Sequence, residues 1–197
     1  MRIGIDAKWY FTGPVSTRVV LQNLLPELFS IYPEHEYILF LDKKDQHRQL
    51  PFSGNNIQTR FLWADNNLLS NLLLVSPWAR KLNLDATVFQ TFPSLKQRGS
   101  SVVFIHDVLF RRFPQFFSWK EKLYFLPLPW LTRNRADRLV ATTEFVAAEL
   151  LSYRYTRERS RVDLVPLAVG KSYRPATLHQ PGQLEAVKEK LDRKSVV

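Results

Sequence analysis

Short apolar runs alternate with longer amphipathic segments along this chain. Short apolar runs are typical of strands buried in a parallel sheet, and amphipathic segments are typical of the helices that connect them. Six or seven strands are predicted, from the candidates Arg2–Ala7, Tyr37–Asp42, Ile57–Leu62, Ala86–Gln90, Ser101–Ile105, Arg138–Thr142 and Val162–Val165. Helices are predicted at Ser16–Ile31, Asn66–Lys81, Ser118–Asn134 and Thr143–Tyr155. The pattern predicts an α/β fold, a doubly wound and mainly parallel sheet with helices on both faces.

The pattern changes beyond Tyr173. Pro175 and the polar stretch His179–Gly182 precede a short charged segment, Gln183–Asp192, that is predicted to be helical. We therefore expect residues 1–175 to form one domain, and residues 176–197 to form a linker and the start of a second domain.

Composition narrows the classes of function. No cysteine is present, which excludes disulfides, thiolate nucleophiles and cysteine-bound metals. The formal net charge of +10 favours an anionic partner, whether a phosphate-bearing ligand, a nucleic acid or an acidic membrane surface. Neither a secretory signal nor an apolar stretch of membrane-spanning length is visible, so a cytoplasmic location is expected.

The loop Lys8–Pro14 connects the first predicted strand to the first predicted helix, for which Ser16 and Thr17 are candidate N-caps. In doubly wound sheets, ligands bind at the carboxyl ends of the strands, where this loop lies. A helix amino terminus attracts phosphate or carboxylate through its free N–H groups. A purely structural turn also uses Gly-Pro and a serine cap, so both interpretations are open.

His106 and Asp107 directly follow the apolar run Val102–Ile105. The imidazole is therefore expected at the carboxyl edge of the sheet, where it could transfer a proton or orient a substrate. The alternative is structural, because a lone histidine can bond the following turn and Asp107 can brace that loop.

Thr143 and Glu144 occupy a similar position after another predicted strand and open a helix. Both could contact a substrate at the edge of the sheet. Capping alone could also explain the pair, because threonine suits the N-cap position and an acidic residue in the first turn complements the helix dipole.

Aromatic and basic residues are interleaved between Phe110 and Trp130. Such a segment can lie in a lipid headgroup region with its rings inserted and its cations facing anionic lipid. Candidate lipid contacts are Arg111, Arg112, Trp119 and Lys120; the alternative is that most of the rings belong to the core.

Several classes of site lack their motifs. The chain has only six glycines and contains neither Gly-x-Gly-x-x-Gly nor a Walker loop, so a dinucleotide or ATP site is not expected. No Gly-x-Ser-x-Gly elbow indicates a hydrolase, and the histidines lack metal-ligand spacing. The aromatic residues do not form a strand platform for RNA, so no nucleic-acid partner is expected. The sequence gives no indication of the oligomeric state.

The order of these segments resembles bacterial family 4 glycosyltransferases, which have the GT-B fold. The likeness extends over residues 1–175. The matching segments are Met1–Ala7 with its glycine loop, Asn23–Leu25, His35–Tyr37, Phe89–Pro93 with Val103–Asp107, Phe113-Pro114, Asp137–Leu150 and Val165–Pro175.

The resemblance implies retaining transfer of a hexose, such as mannose, from a nucleotide sugar to a lipid-linked or polysaccharide acceptor. No metal or other cofactor is implied, because the nucleotide sugar is a substrate. His106 matches the position whose imidazole approaches the donor sugar, and Gly13 matches the loop that approaches the donor phosphates or the acceptor. Lys8 in the same loop, Asp107, Thr143 and Glu144 are expected to support substrate binding.

The same family binds its donor largely through a carboxyl-terminal domain with two glutamates eight positions apart. No two glutamates of this chain have that spacing. The chain is therefore expected to be the amino-terminal, acceptor-side half of such an enzyme, inactive alone, in the cytoplasm or at the inner face of the membrane. The alternative function is a non-catalytic module that docks to anionic lipid or to a partner protein.

Overall fold

A computed structural model of the chain describes residues 1–63, 66–96 and 98–168. The strands are β1 (Arg2–Asp6), β2 (Glu36–Asp42), β3 (Ile57–Leu62), β4 (Ala86–Gln90), β5 (Ser100–Ile105), β6 (Arg138–Ala141) and β7 (Val162–Leu164). They form one sheet in the order β3-β2-β1-β4-β5-β6-β7, and every neighbouring pair is parallel. The predicted fold class is confirmed, and each strand lies within one residue of its predicted bounds.

The helices connect these strands. They are α1 (Val15–Ile31), α2 (Asn67–Leu69), α3 (Ser76–Lys81), α4 (Leu109–Arg112), α5 (Trp119–Phe125), α6 (Leu128–Arg135) and α7 (Glu144–Ser152). A π-helical turn, Ser70–Val75, joins α2 to α3. Short 3-10 turns lie at Lys43–Asp45, Pro114–Phe116 and Arg159–Arg161.

Helices cover both faces of the sheet, as the sequence predicts. Alternate residues of β2 point to opposite faces, which is the rule for strands. Leu39 packs in one apolar cluster with Leu21 and Leu25 of α1. Phe40 packs in a second cluster, which also contains Ala79 of α3, Leu131 of α6 and Leu150 of α7.

The connection from β3 to β4 returns across the sheet, so strand order reverses between β1 and β4. Ligands of doubly wound sheets bind in the crevice at such a switch point, beyond the carboxyl ends of the strands. Asp6 ends β1, Gln90 ends β4 and Ile105 ends β5 at this edge. The fold thereby places the residue after each of these strands in one region.

The predicted helices differ from the structure in several details. The prediction of one helix over Ser118–Asn134 is wrong: α5 ends at Phe125 and α6 begins at Leu128. The intervening Pro127 and the early Pro129 have no N–H to continue the α-helical hydrogen bonds. The first helix starts at Val15 with Pro14 as its N-cap, so the predicted capping by Ser16 or Thr17 is also wrong.

The predicted helix over Asn66–Lys81 is present but irregular. It begins after Asn66, whose side chain accepts a hydrogen bond from Leu69 N, and its middle turn is π-helical. Pro77 explains the wider turn that precedes it. A proline cannot donate to the carbonyl four residues earlier, here that of Leu73, and its ring would clash with that carbonyl in a regular α-helix.

Residues Met1–Pro166 form one compact unit. The predicted boundary at residues 175 and 176 and the predicted helix Gln183–Asp192 lie outside the described residues. No helix in the described part of the chain is long and apolar enough to cross a membrane.

Candidate active site

A buried ion pair lies at the carboxyl end of β1. The Lys8 Nζ atom is 2.5 Å from Asp6 Oδ1 and 2.5 Å from Asn71 Oδ1. Asn71 is on the π-helical turn, and its Nδ2 atom donates to Asp6 Oδ2 at 2.8 Å and to the Phe92 carbonyl at 2.8 Å. Each of the three residues is at most 1% exposed. Lys8, a predicted substrate-binding residue, therefore forms its contacts inside the protein and ties the loop after β1 to the π-helical turn.

The carboxyl end of β4 has a strained backbone. Thr91 has φ of +76°, an unusual value for a β-branched residue, and Phe92 N donates to the Gln90 carbonyl at 3.0 Å. Positive φ at the centre of a hydrogen bond that spans three residues defines a rare γ-turn. Such strain persists where the surrounding contacts determine the conformation. The turn fixes the position of Gln90 at the end of the strand.

His106 follows β5 and is half-buried. Its Nε2 atom lies 3.4 Å from Oε1 of the buried Gln90, and its ring lies 6.3 Å from that of Phe104. Burial lowers the pKa of His106 below its ordinary value near 6.5, and the charge of Asp107 opposes part of this effect. The imidazole is consequently neutral at pH 7 and can both donate and accept a hydrogen bond.

Asp107 and the pair Thr143 and Glu144 have local structural partners. Asp107 Oδ1 accepts a hydrogen bond from Leu109 N at 3.0 Å. Thr143 is the N-cap of α7 and accepts one from Val146 N at 3.1 Å, while the exposed Glu144 pairs with Arg159 at 3.1 Å. The bracing and capping alternatives are thereby confirmed. Contact of these residues with a substrate stays a prediction.

Gly13 lies on an exposed turn just before α1. A Cβ atom at this position would lie 2.7 Å from Cβ and Cγ of Trp9, so the Trp9 side chain requires glycine here. Pro14 provides no side-chain hydrogen bond to the first turn of α1. The N–H groups of this helix end therefore remain suited to an anion.

The predicted aromatic segment contains both core and surface rings. Phe110 is buried, and Tyr124 and Phe125 pack against the same core cluster. Phe116 is 79% exposed and Trp119 is 69% exposed. Further exposed apolar residues follow at helical spacing, and we refer to the set as the aromatic surface: Phe116, Trp119, Leu123, Leu126 and Trp130.

Basic side chains of this segment lie close to aromatic rings. Lys120 lies 5.7 Å from the ring of Trp119, and Arg111 lies 5.7 Å from the ring of Phe110. Arg112 forms an ion pair with Glu149 at 2.8 Å and also lies 4.7 Å from the ring of Phe145. Among the predicted lipid contacts, Arg112 is thus already paired within the protein.

Sequence reasoning missed the residues that organise the edge of the sheet: Asp6, Asn67, Asn71 and Gln90. Asp6 and Gln90 end β1 and β4 at the switch point, and the predicted strands end at Ala7 and Gln90, so the position of these residues could have indicated them. Asn67 donates to the Gln90 carbonyl at 3.3 Å. Asn67 and Asn71 carried no signal, because nothing in the pattern distinguishes a buried amide in a helix from an exposed one.

Within residues 1–63, 66–96 and 98–168 no three His, Asp or Glu side chains are grouped as a metal site requires.

No protein-family model and no curated protein matches this sequence. Solved structures do match its fold. A glycosyltransferase from Rickettsia africae ESF-5 is 14% identical with a TM-score of 0.51, over 100% of this chain and 50% of that one. Anabaena Alr3699/HepE, solved in complex with UDP and glucose, is 12% identical with a TM-score of 0.52, over 96% of this chain and 50% of that one.

The chain thus spans about half the length of the solved structures it matches. At this level of identity the likeness establishes the fold alone. The protein has the Rossmann-like α/β fold of one half of a GT-B glycosyltransferase, with its polar residues at the carboxyl edge of the sheet.

Proposed function

We propose that this chain is the amino-terminal, acceptor-side half of a retaining glycosyltransferase of the family 4 type. The reaction is transfer of a hexose, such as mannose, from a nucleotide sugar to a lipid-linked or polysaccharide acceptor. The donor site is supplied mainly by a second α/β domain. The reaction occurs in the cytoplasm, at the inner face of the membrane.

The position of His106 carries this proposal. It is a neutral, half-buried imidazole beyond the end of β5, next to the switch point of a sheet whose fold matches half of a glycosyltransferase. A neutral imidazole can accept a proton or hydrogen bond from a sugar hydroxyl and donate one to a developing anion. His106 is therefore assigned to orient the reacting sugar.

The loop before α1 supports an anionic substrate. Gly13 leaves the backbone accessible, and the uncapped end of α1 offers N–H groups to a phosphate. Anabaena HepE was solved in complex with UDP and glucose, and UDP carries phosphates of the kind that such an end attracts. Asp107, Thr143 and Glu144 at the same edge are assigned to supporting substrate contacts.

A transfer assay tests this function. The chain alone and the chain fused to the segment encoded directly downstream are incubated with radiolabelled nucleotide sugars and membranes of the native host. We expect label in the acceptor fraction only with the fusion, and its loss in the fusion carrying His106→Ala. His47→Ala is the matched control, because His47 is exposed and its side chain contacts Gln46 rather than the edge residues.

Two outcomes would overturn the proposal. Transfer that is equal in the His106→Ala fusion and the parent would remove His106 from the reaction. No transfer by either protein, together with a downstream segment that encodes no second α/β domain, would reject the half-enzyme assignment.

The second candidate function is docking to anionic lipid without catalysis, and the aromatic surface favours it. Trp119, Leu123 and Leu126 lie on one side of α5 and its end, where indole and aliphatic groups suit the headgroup boundary of a bilayer. Lys120, next to Trp119, complements anionic headgroups, and Arg111 of the same segment adds positive charge. The same surface could hold the proposed enzyme at the membrane.

Flotation with vesicles measures this docking. Vesicles that contain phosphatidylglycerol should bind the chain, vesicles of phosphatidylcholine alone should bind it less, and salt should weaken the binding. Trp119→Ser combined with Leu123→Ser should reduce binding about tenfold or more, from the loss of buried apolar area. Trp63→Ser, a change of an exposed tryptophan outside the aromatic surface, is the control. Equal binding to both vesicle types would contradict recognition of anionic lipid.

A further inference from the structure

The backbone of Gln90 is held by several hydrogen bonds beside the candidate site. Its carbonyl accepts hydrogen bonds from Phe92 N at 3.0 Å and from Asn67 Nδ2 at 3.3 Å. Its own N–H points to Asp6 Oδ2 at 3.4 Å, because β1 has ended and the Asp6 carboxylate takes the place of a strand partner. The side chain is 1% exposed. Gln90 is therefore fixed before any ligand binds.

The side-chain amide of Gln90 has one hydrogen-bond partner among the described residues, which is His106. Oε1 lies 3.4 Å from Nε2 of the imidazole, and the buried Nε2 of the amide has no partner in the described part of the chain. An amide oxygen can only accept a hydrogen bond. With the amide in this orientation, Nε2 of a neutral His106 carries the proton and Nδ1 carries the free lone pair.

We propose that Gln90 is a positioning residue that holds His106 in the Nε2–H tautomer, with Nδ1 free to accept a hydrogen bond from a substrate. Gln90 touches no reacting atom in this role and acts through His106. The buried Asp6, Lys8 and Asn71 side chains lie behind Gln90 and keep its backbone in place. The role rests on the proposed function, because the orientation of His106 matters only if it meets a substrate.

The reverse orientation of the Gln90 side-chain amide predicts the other tautomer of His106. An N–H of Gln90 directed at Nε2 of His106 would require the imidazole proton on Nδ1. The two arrangements therefore differ in an observable property of the wild-type protein. No substrate and no second domain is needed to distinguish them.

Long-range nitrogen–proton NMR spectra of the uniformly ¹⁵N-labelled chain distinguish the tautomers. The spectra are recorded above pH 7, and the His106 signals are assigned by their loss in His106→Gln. We expect a protonated, pyrrole-type Nε2 and an unprotonated, pyridine-type Nδ1 for His106. A protonated Nδ1 in the wild-type protein would overturn the proposal.

A pH titration of Gln90→Glu provides the second readout. A carboxylate beside the imidazole stabilises its charged form, so this substitution should raise the pKa of His106 by about 1. Asp107 on its own loop acts on His106 electrostatically, and the charges of the Asp6–Lys8 pair, which contacts the backbone of Gln90 through Asp6, offset each other. Gln46→Glu adds the same charge next to His47 and should leave His106 unchanged.

An unchanged pKa of His106 in folded Gln90→Glu would overturn the contact between the two side chains. If that variant does not fold, the tautomer of His106 in the wild-type protein decides whether the contact exists.

Failure of this proposal can be distinguished from failure of the proposed function. The predicted tautomer without any sugar transfer by the fusion would reject the proposed function and leave the hydrogen bond. Transfer by a protein whose His106 is protonated on Nδ1 would reject only the role of Gln90.

Discussion

Lys8 Nζ donates to Oδ1 of Asn71 at 2.5 Å, although the two residues are 63 positions apart in the chain. Asn71 also donates to Asp6 and to the Phe92 carbonyl, so one amide joins the loop after β1, the end of β1 and the loop after β4. Burial makes each of these bonds costly to lose, because no water can replace the missing partner. The contact therefore supports the edge of the sheet at which His106 lies.

Replacement of Asn71 by leucine should destabilise the fold. Asn71→Leu keeps a similar volume but leaves Lys8, Asp6 and the Phe92 carbonyl short of a partner, and the expected loss is about 3 kcal/mol in the free energy of unfolding. Urea denaturation measures it. The control is Asn23→Leu on the exposed surface of α1, which should change stability by less than about 0.5 kcal/mol. Equal losses in the two variants would contradict the importance of the network.

The buried ion pair should show strong coupling. Lys8→Met leaves the Asp6 carboxylate buried without its counterion, and a loss of about 3–5 kcal/mol is expected. Adding Asp6→Asn removes the uncompensated charge, so the double variant should be more stable than Lys8→Met alone. A double-mutant cycle by urea denaturation measures the coupling. Additive losses would show that the two charges do not depend on each other.

The strained turn after β4 should be relieved by glycine. Thr91→Gly removes the Cβ atom that makes a φ of +76° unfavourable, and stability should rise by about 1 kcal/mol. The matched substitution Thr59→Gly, in the middle of β3, should instead lower stability, because glycine weakens a strand. Thermal unfolding compares both. If Thr91→Gly lost as much stability as Thr59→Gly, the contacts of the Thr91 side chain would stabilise the fold by more than its positive φ destabilises it.

His106 should make the protein less stable in acid. Its pKa is lowered in the folded state, so below about pH 6.5 the unfolded chain binds the proton more readily than the folded one. Neutral His106 makes its full contribution to the free energy of unfolding above that pH. This contribution is lost as the pH falls towards the pKa of His106 in the folded state. Urea denaturation between about pH 8 and about pH 5 should show a steeper loss in the wild type than in His106→Gln. Parallel profiles would contradict the burial of the imidazole.

The fold was predictable because hydrophobic burial determines it. β2 and β5 are nearly continuous apolar runs, as strands covered on both sides must be, and their bounds follow directly from the sequence. The break between α5 and α6 was missed because a proline can lie inside the first turn of a helix as well as end one. The π-helical turn was missed for a similar reason, since the apolar pattern of Ser70–Val75 is also that of an α-helix.

The candidate site was predictable only in part. His106 follows an obvious strand, and strand ends in such folds are where ligands bind, so its location could be inferred. The position of Gln90 at a strand end could be inferred in the same way, but its contact with His106 could not, because that hydrogen bond depends on the register between β4 and β5. The burial of Lys8 likewise depends on Asn71, a residue distant in sequence, so a lysine in a loop gave no sign of being enclosed.

The π-helical turn makes the edge of the sheet sensitive to the winding of one helix as well as to residue type. A π-helix contains more residues per turn than an α-helix, so the segment Ser70–Val75 takes up one residue more than an α-helical turn would. If the same residues formed a regular α-helix, those before the turn would be rotated by about 100° relative to α3. Asn67 and Asn71 could then no longer both reach the ends of β1 and β4. A variant in which Pro77 no longer prevents a regular α-helix would therefore need a different anchor for this edge, even if every residue named in the site were retained.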